Sequence, residues 1–94
     1  MADFDWSPEK NAQLVQQRGV SFEQVVSAIE QSGLLDVLEH PNQDRYPGQR
    51  IYVVDIDGYV HLVPFVLDQG GVRFLKTVIP SRKATRDYAR AKDE

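Results

Sequence analysis

Arg50-Ile51-Tyr52-Val53-Val54-Asp55-Ile56-Asp57-Gly58-Tyr59-Val60-His61-Leu62-Val63-Pro64-Phe65-Val66-Leu67 is a pair of β-branched and aromatic runs joined by Asp57-Gly58. Asp-Gly takes the positive φ angles of a two-residue hairpin turn at little cost, so the stretch predicts antiparallel strands over Arg50 to Asp57 and Tyr59 to Leu67. A third strand is predicted over Val72 to Ile79, beyond the turn Asp68-Gln69-Gly70-Gly71. Pro64 interrupts the middle strand. Having no N–H to give to a ladder, it predicts either a bulge there or a side turned to an edge.

Upstream, the hydrophobic period becomes helical. Ser7-Pro8-Glu9 sets a capping serine before a proline at the first helical position and an acid in the first turn. The helix it predicts runs to Gly19, a residue suited to the left-handed cap position. Ser21-Phe22-Glu23-Gln24 has the form of a capping box, and Phe22, Val25, Val26 and Ile29 fall at i, i+3, i+4 and i+7, giving a second helix that ends near Gly33. Leu34 to Glu39 reads as a short strand or extended chain, and Pro41 to Gly48 as a loop. Downstream, Ser81 is a cap for a basic helix opened by Arg82-Lys83-Ala84-Thr85-Arg86. The expected fold is therefore α+β: one domain over residues 1–94, with two N-terminal helices, an antiparallel sheet of three to four strands and a C-terminal helix, the helices covering one face.

The chain has no cysteine, which excludes disulfides, thiolate zinc sites and a cysteine nucleophile; with only His40 and His61 left for imidazole chemistry, no metal and no cofactor are expected. No apolar run approaches the roughly 18 residues that span a bilayer, and Met1-Ala2-Asp3-Phe4-Asp5 is acidic where a secretory signal is basic. A cytoplasmic protein without membrane contact is the expectation. Net charge is −3, but it is unevenly spread: residues 1–39 hold seven acids against Lys10 and Arg18, while residues 40–86 hold seven bases against four acids. Such a division points to an anion-binding surface on one side.

The strongest candidate for that surface is the junction of the last strand with the last helix. Cations gain nothing from the positive end of a helix dipole, so Arg82, Lys83 and Arg86 are better explained by an anionic partner such as phosphate than by helix stability. A solvated charged face is the alternative. A second group surrounds the loop, where His40 precedes Pro41, Arg45 and Arg50 follow, and Tyr46, Tyr52 and Tyr59 lie near in sequence. Metal-independent RNA cleavage needs a base for the 2′-hydroxyl, cations for the phosphorane and an acid for the leaving oxygen. His40 is a candidate base or acid and the arginines a candidate clamp, with a polar loop histidine as the plainer reading. His61 reads as a structural histidine. Asp55 and Asp57 share a strand face and read as solvent-facing residues beside a turn.

Together these motifs resemble the BrnT-type toxins of bacterial toxin-antitoxin modules. The resemblance rests on Phe4, Trp6, Pro8 and Lys10, on Gly19-Val20-Ser21-Phe22-Glu23, and on Arg82-Lys83-Ala84-Thr85-Arg86, in that order along nearly the whole chain. The chain departs from the family pattern at Arg18, at Pro80-Ser81 and at Lys76, the base nearest to the family's last-strand arginine. The resemblance implies a RelE-like fold and a toxin that arrests translation by cutting RNA, either free or on the ribosome. It also implies a cognate antitoxin, through which alone operon DNA would be met. Arg50, Arg82 and Arg86 are then the expected phosphate-binding catalytic residues, with His40 or Tyr88 moving protons and Arg45, Lys76 and Lys83 contacting RNA. The other reading is a non-catalytic interaction module on the same fold, whose basic face meets an acidic protein.

Overall fold

The computed structural model describes residues 3–93. In chain order it contains β1 (Phe4–Asp5), α1 (Pro8–Arg18), α2 (Phe22–Glu30), β2 (Leu34–Glu39), β3 (Arg50–Ile56), β4 (Tyr59–Leu67), β5 (Arg73–Leu75), β6 (Ile79–Pro80) and α3 (Arg82–Asp93). The helix boundaries follow the capping chemistry. Ser7 accepts the Lys10 N–H at the start of α1, and Gly19 closes that helix at φ +67°, returning its N–H to the Val15 carbonyl. At α2 both halves of the capping box form between Ser21 and Gln24. Ser81 caps α3 by accepting the Ala84 N–H at 3.1 Å.

The sheet has six strands, in the order β1-β5-β4-β3-β2, with β6 also on β4. It is larger than the three to four antiparallel strands read from the sequence, because the chain before α1 adds β1 in parallel beside β5 and the last predicted strand is split in two. Pro64 accounts for the split. Its carbonyl faces that last strand, taking the Lys76 N–H at 2.8 Å, so the side of Pro64 without an N–H faces the same way. Phe65 pairs with Leu75 and Leu62 with Ile79. Three residues, 76–78, therefore oppose two, 63–64, and the bulge expected at Pro64 is carried by its partner. Arg18 steadies the bulge by donating from Nη1 to the Val78 carbonyl.

Alternation along the strands sorts side chains onto two faces. On one, Tyr52, Val54, Ile56, Val63, Phe65 and Leu75 meet Leu14, Phe22 and Val25 from α1 and α2 in the hydrophobic core. Tyr52 and Phe65 stack with ring centroids 4.0 Å apart, and Trp6 lies on Phe22 at 5.6 Å. Each fully buried side chain of this size contributes about 1.5–3 kcal/mol. On the other face lie Asp36, Val53, Val60 and Leu62, and there α3 docks. Thr85 Oγ1 accepts the Val60 N–H at 2.8 Å, Ser81 gives its N–H to the Val60 carbonyl at 2.9 Å, and Tyr88 reaches Asp36. This corrects the expectation of helices on one face only: α1 and α2 cover one side, α3 part of the other. Among the described residues no helix is long and apolar enough to cross a membrane.

Candidate functional site

Part of the core face is open: Val37, Glu39, Arg50 and Leu67 point to it and are exposed. Glu39 pairs with Arg50, Val37 with Tyr52, Arg50 with Phe65, and Leu67 with Arg73, so all seven side chains point to this side. Val37, Arg50, Tyr52, Phe65, Leu67, Gly71 and Arg73 line a cleft of about 390 Å³, and a second depression beside it brings in Glu39, Gln43 and Gln49.

Two arginines on the two sides of β4 thus serve one cleft. Arg73 is held in place: its Nη1 donates to the Tyr52 hydroxyl at 3.0 Å, and its guanidinium lies 4.5 Å from the centroid of the Phe4 ring. Arg50 is exposed, and its guanidinium makes no hydrogen bond or ion pair with the described residues. The hydroxyl of Tyr52 accepts from Arg73 and keeps its own proton to give. Tyr52 and Phe65 are otherwise buried and form the cleft's rigid floor. Cations above an apolar, ring-stiffened floor suit an anion carried on a larger molecule, since the guanidinium fork matches phosphate or carboxylate oxygens.

The loop between β2 and β3 borders this cleft and is tied together from within. Gln43 Nε2 donates to the carbonyls of His40 and Gln49 at 2.8 and 3.0 Å, and Gln43 Oε1 accepts the Gly48 N–H at 3.1 Å. His40 Nδ1 accepts the Asn42 N–H at 3.0 Å, and the His40 ring packs 4.4 Å from the ring of Tyr46, over which Arg45 lies at 5.8 Å. One nitrogen of His40 is therefore spent on folding the loop.

The remaining sequence candidates lie elsewhere. Arg82, Lys83 and Arg86 are exposed on α3, across the sheet from Arg50, without acidic partners among the described residues. Lys76 follows β5 at the bulge, its Nζ 5.5 Å from the Phe74 ring. Tyr88 donates to Asp36 Oδ2 at 3.1 Å; burial first, and then that bond, raises its pKa above the usual phenol value, which favours a hydrogen-bond donor over a base. The five residues read as catalytic, Arg50, Arg82, Arg86, His40 and Tyr88, are thus not brought into one constellation. Sequence reasoning missed Arg73 and Glu39. A turn confined to residues 68–71 would pair Leu67 with Val72 and send Arg73 to the other face; the true partner of Leu67 is Arg73, one residue later, and that single step brings Arg73 to the cleft.

Asp55 and Asp57 border a separate depression beneath α2; Asp55 Oδ1 accepts the Gly58 N–H at 2.8 Å and so serves the turn. Among the described residues no three His, Asp or Glu side chains come together as metal ligands. Comparison with protein-family models, with curated proteins and with solved structures finds no match to this chain.

Proposed function

We propose that this chain is the toxin of a bacterial toxin-antitoxin module, resembling BrnT-type toxins and their RelE-like fold, and that it inhibits translation as a metal-independent endoribonuclease in the cytoplasm. The observation that supports this best is the placement of Arg50 and Arg73 on one open cleft with Tyr52 bonded to Arg73. In this reading the two guanidinium groups hold the scissile phosphate and stabilise the extra charge of the phosphorane. Glu39, cross-strand from Arg50, takes the 2′-hydroxyl proton. The freed 2′-oxygen attacks phosphorus, the P–O5′ bond breaks, and Tyr52 gives its proton to the departing 5′-oxygen. The products are a 2′,3′-cyclic phosphate and a 5′-hydroxyl. Arg45, exposed on the neighbouring loop, extends the basic path along the RNA.

The test is mapping of new RNA 5′ ends in bacteria after a short pulse of expression without antitoxin, where a ribosome-dependent enzyme has its full substrate. Wild type is expected to generate new 5′-hydroxyl ends, and the Arg50→Ala/Arg73→Ala variant to lose them by about 100-fold or more. New ends that persist with the folded double variant would place the chemistry elsewhere. Their absence with soluble wild type would remove the nuclease reading.

One observation favours a second reading. The exposed bases of α3 lie on the face opposite the cleft, which suits docking of an acidic segment of a cognate antitoxin by a chain without catalytic activity. Arg82→Ala/Arg86→Ala would then weaken that complex in a salt-dependent manner and leave RNA ends untouched.

A further inference from the structure

β2 is the long free edge of the sheet; β1, at the opposite end, has only two residues. The His40 N–H donates to the Gln49 carbonyl at 3.0 Å, which sets the main-chain groups of positions 36, 38 and 40 toward β3 and those of Val37 and Glu39 outward. Val37 and Leu38 on this edge are 44% and 43% exposed. An exposed apolar edge of this length is a template for another strand. Yet the outward N–H of Val37 is occupied: it donates to Asp36 Oδ1 at 2.8 Å, while Asp36 Oδ2 takes the Tyr88 hydroxyl at 3.1 Å. One carboxylate thus blocks the edge and is itself held from across the second face by α3.

We propose that the β2 edge is a latched self-pairing surface: the Tyr88–Asp36–Val37 chain of bonds keeps it from joining the β2 edge of a second copy. The occupant follows from the strand's own sequence. Antiparallel pairing about a two-fold axis at Val37 sets Val37 against Val37, Asp36 against Leu38, and Leu35 against Glu39, so no like charges stand directly opposite. The edge is self-complementary once the Asp36 carboxylate leaves the Val37 N–H. The raised pKa of Tyr88, caused mainly by burial, keeps the hydroxyl a donor through the neutral range. Any movement of α3 away from the sheet would open the latch. The inference does not rest on the RNA reading, since it uses the outward main-chain groups of β2, although Val37 and Glu39 of that strand also border the cleft.

Light scattering during size-exclusion chromatography, with wild type and variants at equal concentration, tests it. Wild type is expected to be monomeric. Asp36→Ala and Tyr88→Phe are expected to dimerise about tenfold or more tightly than wild type, because each copy exposes its Val37 N–H to the other. Asp36→Asn keeps an acceptor for that N–H and stays monomeric. Adding Val37→Lys to Asp36→Ala places like charges on the axis and restores the monomer. The proposal is overturned if wild type is already a dimer, if Tyr88→Phe and a folded Asp36→Ala both remain monomeric, or if the species formed is larger than a dimer or indifferent to Val37→Lys.

Discussion

His61 belongs to β4 on the core face, half-buried, its Nδ1 2.9 Å from the Tyr59 carbonyl and its ring edge-on to Tyr59. Burial lowers its pKa below the ordinary value of 6.5, and the Tyr59 carbonyl and Asp55 offset that only in part. A depressed folded-state pKa means that the fold favours neutral imidazole. The stability this gives is present above the unfolded value and is lost as pH falls through the lowered folded one. Proton NMR should therefore place the His61 midpoint below 6.5, and thermal unfolding should show a loss of Tm below that pH that His61→Gln reduces. A midpoint above 6.5 would contradict the burial argument. The same residue shows how sequence and structure agree: alternation with Val63 and Phe65 was enough to mark it as structural. For His40 the sequence left both readings open, because nothing in it says that Nδ1 closes on the Asn42 N–H.

Among the elements, α2 is the one whose attachment can be tested most sharply. Gly33 follows it, gives its N–H to the Ala28 carbonyl and takes the Asp55 N–H at 2.8 Å, joining helix end to sheet. A Cβ added at Gly33 would lie 2.8 Å from the Ala28 oxygen and 2.9 Å from the Asp55 oxygen, both main-chain atoms that cannot swing aside. We expect Gly33→Ala to cost about 1–3 kcal/mol in urea unfolding, through overpacking. Ser21→Ala, which removes half of the capping box, should cost about 1 kcal/mol. An unchanged midpoint in either case would contradict the account of how α2 is fixed. These contacts were partly legible. Ser7, Gly19 and Ser21 announced their caps through chemistry that acts within a few residues. The face chosen by α3 was not legible, because its ties to the sheet are hydrogen bonds of Thr85 and Tyr88, side chains that mark no apolar stripe beside the exposed bases. Pro64 marked an interruption, but whether proline's own strand or its partner absorbs the extra residue depends on a pairing between strands.

Over the whole molecule, the bases that the linear charge division grouped into one part of the chain are split between the two sides of the sheet, so the single anion-binding side expected from the sequence is not what the fold builds. Arg50 and Arg73 serve the open cleft on the side of α1 and α2, and Arg82, Lys83 and Arg86 stand on α3 across the sheet. Linear order grouped Arg50 with the α3 bases because strand parity is invisible until the register is known. One residue of register was also what hid Arg73. The most direct measurement is a two-dimensional NMR titration of the labelled protein with a short single-stranded oligoribonucleotide whose 2′-oxygens are methylated, so that it binds without being cut. The account expects the largest shifts at Arg50, Tyr52, Leu67, Gly71 and Arg73, and their loss in Arg50→Ala/Arg73→Ala. Shifts confined to α3, or none at any concentration that keeps the protein folded, would contradict it.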